Sequence, residues 1–165
     1  AGPYYMDQID DIKKTIAEQQ LDIVPVEGQE LDEEQQTALD DAIAQITDED
    51  IYNYILEMNP DVKGIFATNG DTTMQALTAC EGKDMKDVVI MGYDADQEEI
   101  DAMKDGRIAG MIVQNPYGMG YATVVAEARC VLNMGNEANV NTGYTWVTPD
   151  NIEDRTVQDI LYAEK

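Results

Sequence analysis

At 165 residues, 44% of them hydrophobic, the chain is long enough to bury a real core. Its net charge of −24 repels phosphate backbones and anionic membranes, so nucleic acid is not an expected partner. Histidine is absent, and the two cysteines, Cys80 and Cys130, show no CxxC or zinc spacing. That removes Ser-His-Asp and Cys-His catalysis, most zinc chemistry and a disulfide framework.

Both cysteines sit in helical patterns among Ala and Leu, and both read as small buried hydrophobes. No run approaches the ~18 consecutive apolar residues of a membrane span. The start, Ala1-Gly2-Pro3-Tyr4-Tyr5, has neither the basic residues nor the apolar run of a secretory signal, so an export address would lie outside these residues.

Residues 5–19 read as a helix with Met6, Ile9, Ile12 and Ile16 on one face. Leu21 to Val26 reads as a short strand. Residues 27–50 hold ten acids and no Lys or Arg, with a surface helix from Glu33 to Gln45 whose apolar stripe is Leu39, Ala42, Ile43 and Ile46. The alternating acids and Gly turn of a calcium loop are missing there. Thr47 with Asp50 resembles a capping box opening a helix to Met58, and Asn59-Pro60-Asp61 stops it.

The chain then alternates regularly. Val62–Ala67 is a strand, 71–81 a helix ended by Gly82, and Asp87–Met91 a strand whose unbroken apolar run suits a sheet covered on both faces. Residues 96–105 are a helix ended by Gly106, Ile108–Val113 a strand, and 117–133 a helix. Tyr144–Val147 reads as a strand, with a short helix from Asn151 onward. Short-looped strand–helix alternation predicts an α/β fold with a parallel sheet flanked by helices.

Three polar residues follow three successive strands: Asn69, Asp94 and Gln114. In a parallel sheet all strand C-termini share one edge, where open α/β folds bind ligands, and the helices that follow aim N–H groups at it. Amides donate and accept while a carboxylate accepts twice, which suits vicinal hydroxyls, and Tyr93 offers a ring for the C–H side of a sugar. Asn and Asp are equally at home there as turn and cap residues. No phosphate loop of the GxxxxGK[ST] or GxGxxG type occurs, and no cofactor is expected.

The strings Ile65-Phe66-Ala67-Thr68-Asn69, Gly92-Tyr93-Asp94-Ala95, Ile100 to Gly106 and Val113-Gln114-Asn115-Pro116-Tyr117-Gly118-Met119-Gly120 together resemble the type I periplasmic sugar-binding proteins, in particular the ribose-binding subtype. The likeness is nearly gapless from Asn59 to Tyr121 and weaker from about Ile9 to Ile152. It implies an extracytoplasmic carbohydrate-binding protein of an ABC import system, not an enzyme, closing two lobes on a monosaccharide and docking on a permease. It also implies that Asn69, Tyr93, Asp94 and Gln114 touch the sugar.

Three departures stand out. Gly70 replaces the usual Asp after Asn69, with Asp71 next. Met6 falls near an expected Arg. The acidic segment 27–46 replaces one that contributes an aromatic.

On this resemblance residues 1–114 form the C-terminal sugar-binding lobe, and 115–165 a returning helix and tail that would pack on a further, N-terminal lobe. Without that lobe the chain would expose an apolar face and could self-associate. The alternative is the effector-binding core of a lac-repressor-like regulator. The Gln114-Asn115-Pro116 turn and Asn151-Ile152 favour transport, as does Gly110-Met111-Ile112-Val113 where such regulators carry a Thr-Thr-Val-type segment.

Overall fold

The structure, a computed structural model, describes residues 3–24, 26 and 30–161. It divides into two compact units, Ala1–Val62 with Thr78–Met85, and Lys63–Leu77 with Lys86–Lys165.

The first unit is helical. Its helices are α1 (Pro3–Gln20), α2 (Glu33–Gln45) and α3 (Asp48–Met58). Ile16, Ile46 and Ile51 form its buried centre, with Ile12 and Tyr54 packed against them. The Thr47–Asp50 capping box is present. Thr47 N–H donates to Asp50 Oδ2 at 2.9 Å, and Asp50 N–H donates back to Thr47 Oγ1 at 3.2 Å. The hydroxyl's further bond at 2.6 Å holds the Asp50 carboxyl below its usual range. The Asp32–Gln35 pair opens α2 the same way.

The strand expected at Leu21–Val26 does not form. Asp22 takes a left-handed φ of 54° and closes α1, with Asp22 N–H donating to the Gln19 carbonyl at 3.3 Å and Ile23 N–H to Glu18 at 2.9 Å. Val24 and Val26 are exposed rather than paired, and Pro25 lies outside the described residues, as does the Met6 side chain. A helix stop of this kind turns the chain away, so apolar content alone misled the reading of this segment.

The second unit holds β1 (Gly64–Phe66), β2 (Val89–Tyr93), β3 (Gly110–Gln114) and β4 (Tyr144–Val147), in that spatial order. β1, β2 and β3 are parallel, and β4 returns antiparallel to β3. The connecting helices are α4 (Gly70–Gly82), α5 (Gln97–Lys104) and α6 (Pro116–Val131), and α7 (Arg155–Gln158) follows β4. Gly106 ends the α5 turn at φ 76° as expected, but Asp84 at φ 55°, not Gly82, takes the left-handed position after α4.

Register sorts the strand residues by face. Ile65, Ile90, Gly92, Met111, Val113 and Val147 share one face, and all but the half-buried Ile65 are buried. Thr73 of α4 and Glu99 of α5 both lie over Gly92. A Cβ there would come within 2.6 Å of Thr73 Cγ2 and 3.5 Å of Glu99 Oε1. On the opposite face Trp146 lies across Gly110, while Phe66 and Val89 stay half-exposed.

That second face is less covered than the apolar run Val88–Met91 led one to expect, and α6 buries none of its residues. For the same reason Cys130, expected to be buried, is exposed on α6 with its sulfur accepting from Asn136 Nδ2 at 3.0 Å. Cys80 is buried as expected, and burial pushes its thiol pKa up.

Candidate functional site

The parallel strands end on one edge, and a hollow of about 480 Å³ opens there. It is lined by Asn69, Gly70, Asp71, Asp94, Asp96, Gln114 and Pro116. Three strand-to-helix junctions thus bring Asn69, Asp94 and Gln114 to one place, although 45 residues separate the first from the last. Gln114 Nε2 donates to Asp94 Oδ1 at 2.8 Å.

Each residue is held locally. Asn69 caps α4: its Oδ1 accepts from Thr72 N–H at 2.9 Å and its carbonyl from the Thr73 hydroxyl at 2.7 Å. The capping role that Asn favours is therefore real here. The cap engages the amide oxygen of a residue that also lines the hollow.

Asp94 sits just past β2, its N–H donating to the Ile112 carbonyl at 2.9 Å. Its φ of 77° is a conformation that L-residues seldom adopt outside special positions. Asn115 caps α6 through Gly118 N–H at 2.8 Å, and its Nδ2 donates to the Thr142 carbonyl at 3.1 Å. Pro116 is the first helical residue, where its missing N–H costs nothing.

Tyr93 stands half-buried at the end of β2 and does not line this hollow. Its backbone N–H donates to Thr73 Oγ1 at 3.3 Å.

The lining is acidic. Asp71, Asp94 and Asp96 contribute carboxylates, and none of the lining residues is Lys or Arg. Behind them lies a group that the sequence reading passed over. Glu99 has 0% exposure and is one of two polar residues buried among the described residues, the other being Thr73. Its Oε2 accepts from Asp96 N–H at 3.3 Å, and its own N–H donates to Asp96 Oδ1 at 3.1 Å, closing a capping box on α5. Its Oε1 has no hydrogen-bond partner. Burial, first of all, with Asp96 and Asp94 beside it, pushes its pKa up to about 7 against the opposing pull of the Asp96 N–H.

The signal was in the sequence. Asp96-x-x-Glu99 is a capping-box pattern, and Glu99 falls on the same α5 stripe as the buried Ala102 and Met103.

A larger hollow of about 810 Å³ lies in the helical unit. Within it Lys14 pairs with Glu18 at 3.8 Å and Gln36 with Asp40 at 2.8 Å. It gathers no strand ends, so the sheet edge is the better candidate.

A family model described as a periplasmic binding protein domain matches residues 3–129. A ribose import binding protein from Salmonella typhimurium is 35% identical over 66 residues, covering 40% of this chain and 22% of that protein. A solute-binding protein of an ABC transporter from Agrobacterium vitis, solved with α-D-tagatopyranose, has a TM-score of 0.65 at 20% identity, over 79% of this chain and 49% of its own. A carbohydrate transporter solute-binding protein from Agrobacterium radiobacter, in complex with D-arabinose, has a TM-score of 0.63 at 22% identity, over 93% and 63%. The match spans under a third of the length of that ribose-binding relative. With its α/β fold of mostly parallel strands flanked by helices, the chain belongs to the periplasmic binding protein family.

Proposed function

We propose that this chain supplies one side of a monosaccharide site in an extracytoplasmic solute-binding protein that feeds an ABC importer. The observation that carries the reading is the convergence of Asn69, Asp94 and Gln114 on one sheet edge, with Gln114 orienting the Asp94 carboxylate. Asp94 keeps Oδ2 for a sugar hydroxyl, and Asn69 Nδ2 donates to another. Tyr93, at the end of the same strand, would meet the ring if the site's outer wall extends past the hollow.

The names of the relatives support carbohydrate as the ligand class, and permease docking follows from the same reading. On it residues 1–114 are the sugar-binding lobe, and 115–165 return toward a second lobe. The apolar surface of α6, with Tyr121, Val124 and Val125 uncovered, supports such a partner lobe.

Titration calorimetry of the full-length protein against D-ribose, D-arabinose, D-tagatose, D-galactose and myo-inositol tests this. Saturable binding of at least one of them is expected. No binding across the panel would remove the carbohydrate reading.

A further inference from the structure

Glu99 does more than cap a helix. Its carboxyl is wholly enclosed, one oxygen is bonded to Asp96 N–H, and the other, Oε1, has no partner. It stands directly behind the hollow. Gly70, which lines the hollow, is so close that a Cβ there would lie 3.2 Å from Glu99 Oε2 and 3.6 Å from Asp96 Oδ2. Oε1 and the Thr73 hydroxyl lie together over Gly92. Thr73 in turn holds both flanks of the site, donating to the Asn69 carbonyl at 2.7 Å and accepting from Tyr93 N–H at 3.3 Å. Glu99 therefore lies against Gly70, the residue after Asn69, and over Gly92, two residues before Asp94.

We propose that Glu99 is a proton-operated positioning residue for the ligand site, holding the Asn69–Gly70 turn and the Asp94 loop together when neutral and weakening ligand binding when charged. This inference rests on the sugar-binding reading above.

Its physical basis is repulsion in a shrinking dielectric. The charged groups that face Glu99 are Asp96 and Asp94, both from the β2–α5 connection. α4 faces it with Thr73 and the Gly70 backbone, and neither can neutralise a charge. Asp71, in the first turn of α4, adds another carboxylate to the hollow. No cation lines the site. A ligand that fills the hollow drives water from between Asp94 and Glu99, so their repulsion grows on binding and favours the neutral acid. By linkage, protonation then tightens binding and binding takes up a proton. Burial first, then the two aspartates, raises the Glu99 pKa to about 7, which puts this titration near neutrality. This chain has no histidine that could titrate there instead.

The test is sugar affinity of the full-length protein as a function of pH, using whichever panel sugar binds. Affinity should fall about three- to tenfold between about pH 5.5 and about pH 8.5, with the midpoint near 7. Glu99→Gln should flatten this profile. Proton uptake, read from calorimetry near pH 7 in buffers of different ionisation enthalpy, gives a second measurement on the unmodified protein, which stands even if the variant does not fold. A flat wild-type profile with no proton uptake overturns the proposal, as does a pH step that survives unchanged in Glu99→Gln. Failure of every sugar to bind at any pH overturns the sugar-binding reading and this inference with it, whereas a flat profile overturns the inference alone.

Discussion

Gln114 Nε2 donates to Asp94 Oδ1 across 2.8 Å, joining the C-terminal ends of the neighbouring parallel strands β3 and β2. The bond fixes the carboxylate plane and leaves one oxygen lobe for a ligand hydroxyl. Asp94→Ala should therefore remove both a ligand contact and Gln114's anchor. A hydrogen bond to a charged group contributes about 1.5–3 kcal/mol, so sugar affinity should drop roughly tenfold to a hundredfold. Gln114→Ala should cost less, because Asp94 stays. The double variant should lose less than the sum of the singles, since the residues act as a unit. Calorimetry on the four proteins gives the coupling. Strict additivity would show that the bond does not orient Asp94 for binding.

Backbone strain gives a second expectation at the same residue. Asp94 sits at φ 77°, where a Cβ is unwelcome. Glycine has no such penalty. Asp94→Gly and Asp94→Ala should both lose the sugar, but the Gly variant should be the more stable by about 1 kcal/mol. Urea denaturation of the pair measures it. Equal stability would mean that the strand end relaxes freely and stores no strain for function.

Much of this was legible in the sequence. The alternation after residue 59 gave the order of the later strands and helices, although β2 runs Val89–Tyr93 rather than Asp87–Met91 and the last helix starts at Arg155 rather than Asn151. The strand runs are mostly apolar, and α4, α5 and α6 open on the capping residues Asn69, Asp96 and Asn115. The edge position of Asn69, Asp94 and Gln114 followed from parallel pairing alone. Other features did not follow, beyond the stop at Asp84 and the exposure of Cys130. Leu21–Val26 carries strand-like composition, yet has no neighbouring strand to pair with among the described residues, and Asp22 turns it away first. Glu99 looks like any acidic first-turn residue in a one-dimensional reading. Its burial depends on Thr73, Gly92 and Gly70, which only the folded sheet brings beside it.

Burial of Glu99 also ties folding stability to pH. Its folded pKa, near 7, lies above the ordinary value of 4.5. Between these values the native state holds a proton that the unfolded state releases, so stability from this group falls as pH rises and levels off above about 7. Below about 4.5 both states are protonated and the group contributes no pH dependence. The full difference is on the order of 3 kcal/mol. Glu99→Gln removes the titration but keeps an oxygen for Asp96 N–H. Its stability relative to the unmodified protein should thus rise by about 2–3 kcal/mol between about pH 4.5 and about pH 8. Thermal melts across that range would reveal it as a widening gap in Tm. A constant gap would show that Glu99 titrates normally.

The last expectation concerns residues 1–165 produced alone. If the site is shared between two lobes, this chain offers a sugar one wall only. The ligand's far side then stays in water, and hydroxyls exchange one set of hydrogen bonds for another at a net gain of about 0.5–1.5 kcal/mol each. Four or five such bonds give about 2–7.5 kcal/mol, which reaches only the lower part of the about 4–15 kcal/mol of rigid-body freedom lost on binding. Sugar binding by the isolated chain should be millimolar or weaker. The same chain leaves α6 uncovered, with Tyr117, Tyr121, Val124, Val131 and Leu132 each more than 60% exposed. An apolar surface of that extent favours a second copy as its cover. Sedimentation velocity over a range of concentrations should therefore show reversible self-association. The net charge of −24 opposes that approach, so added salt should strengthen it. A monodisperse monomer that binds a sugar at micromolar concentration would overturn the shared-site reading and make this chain a binding domain in its own right.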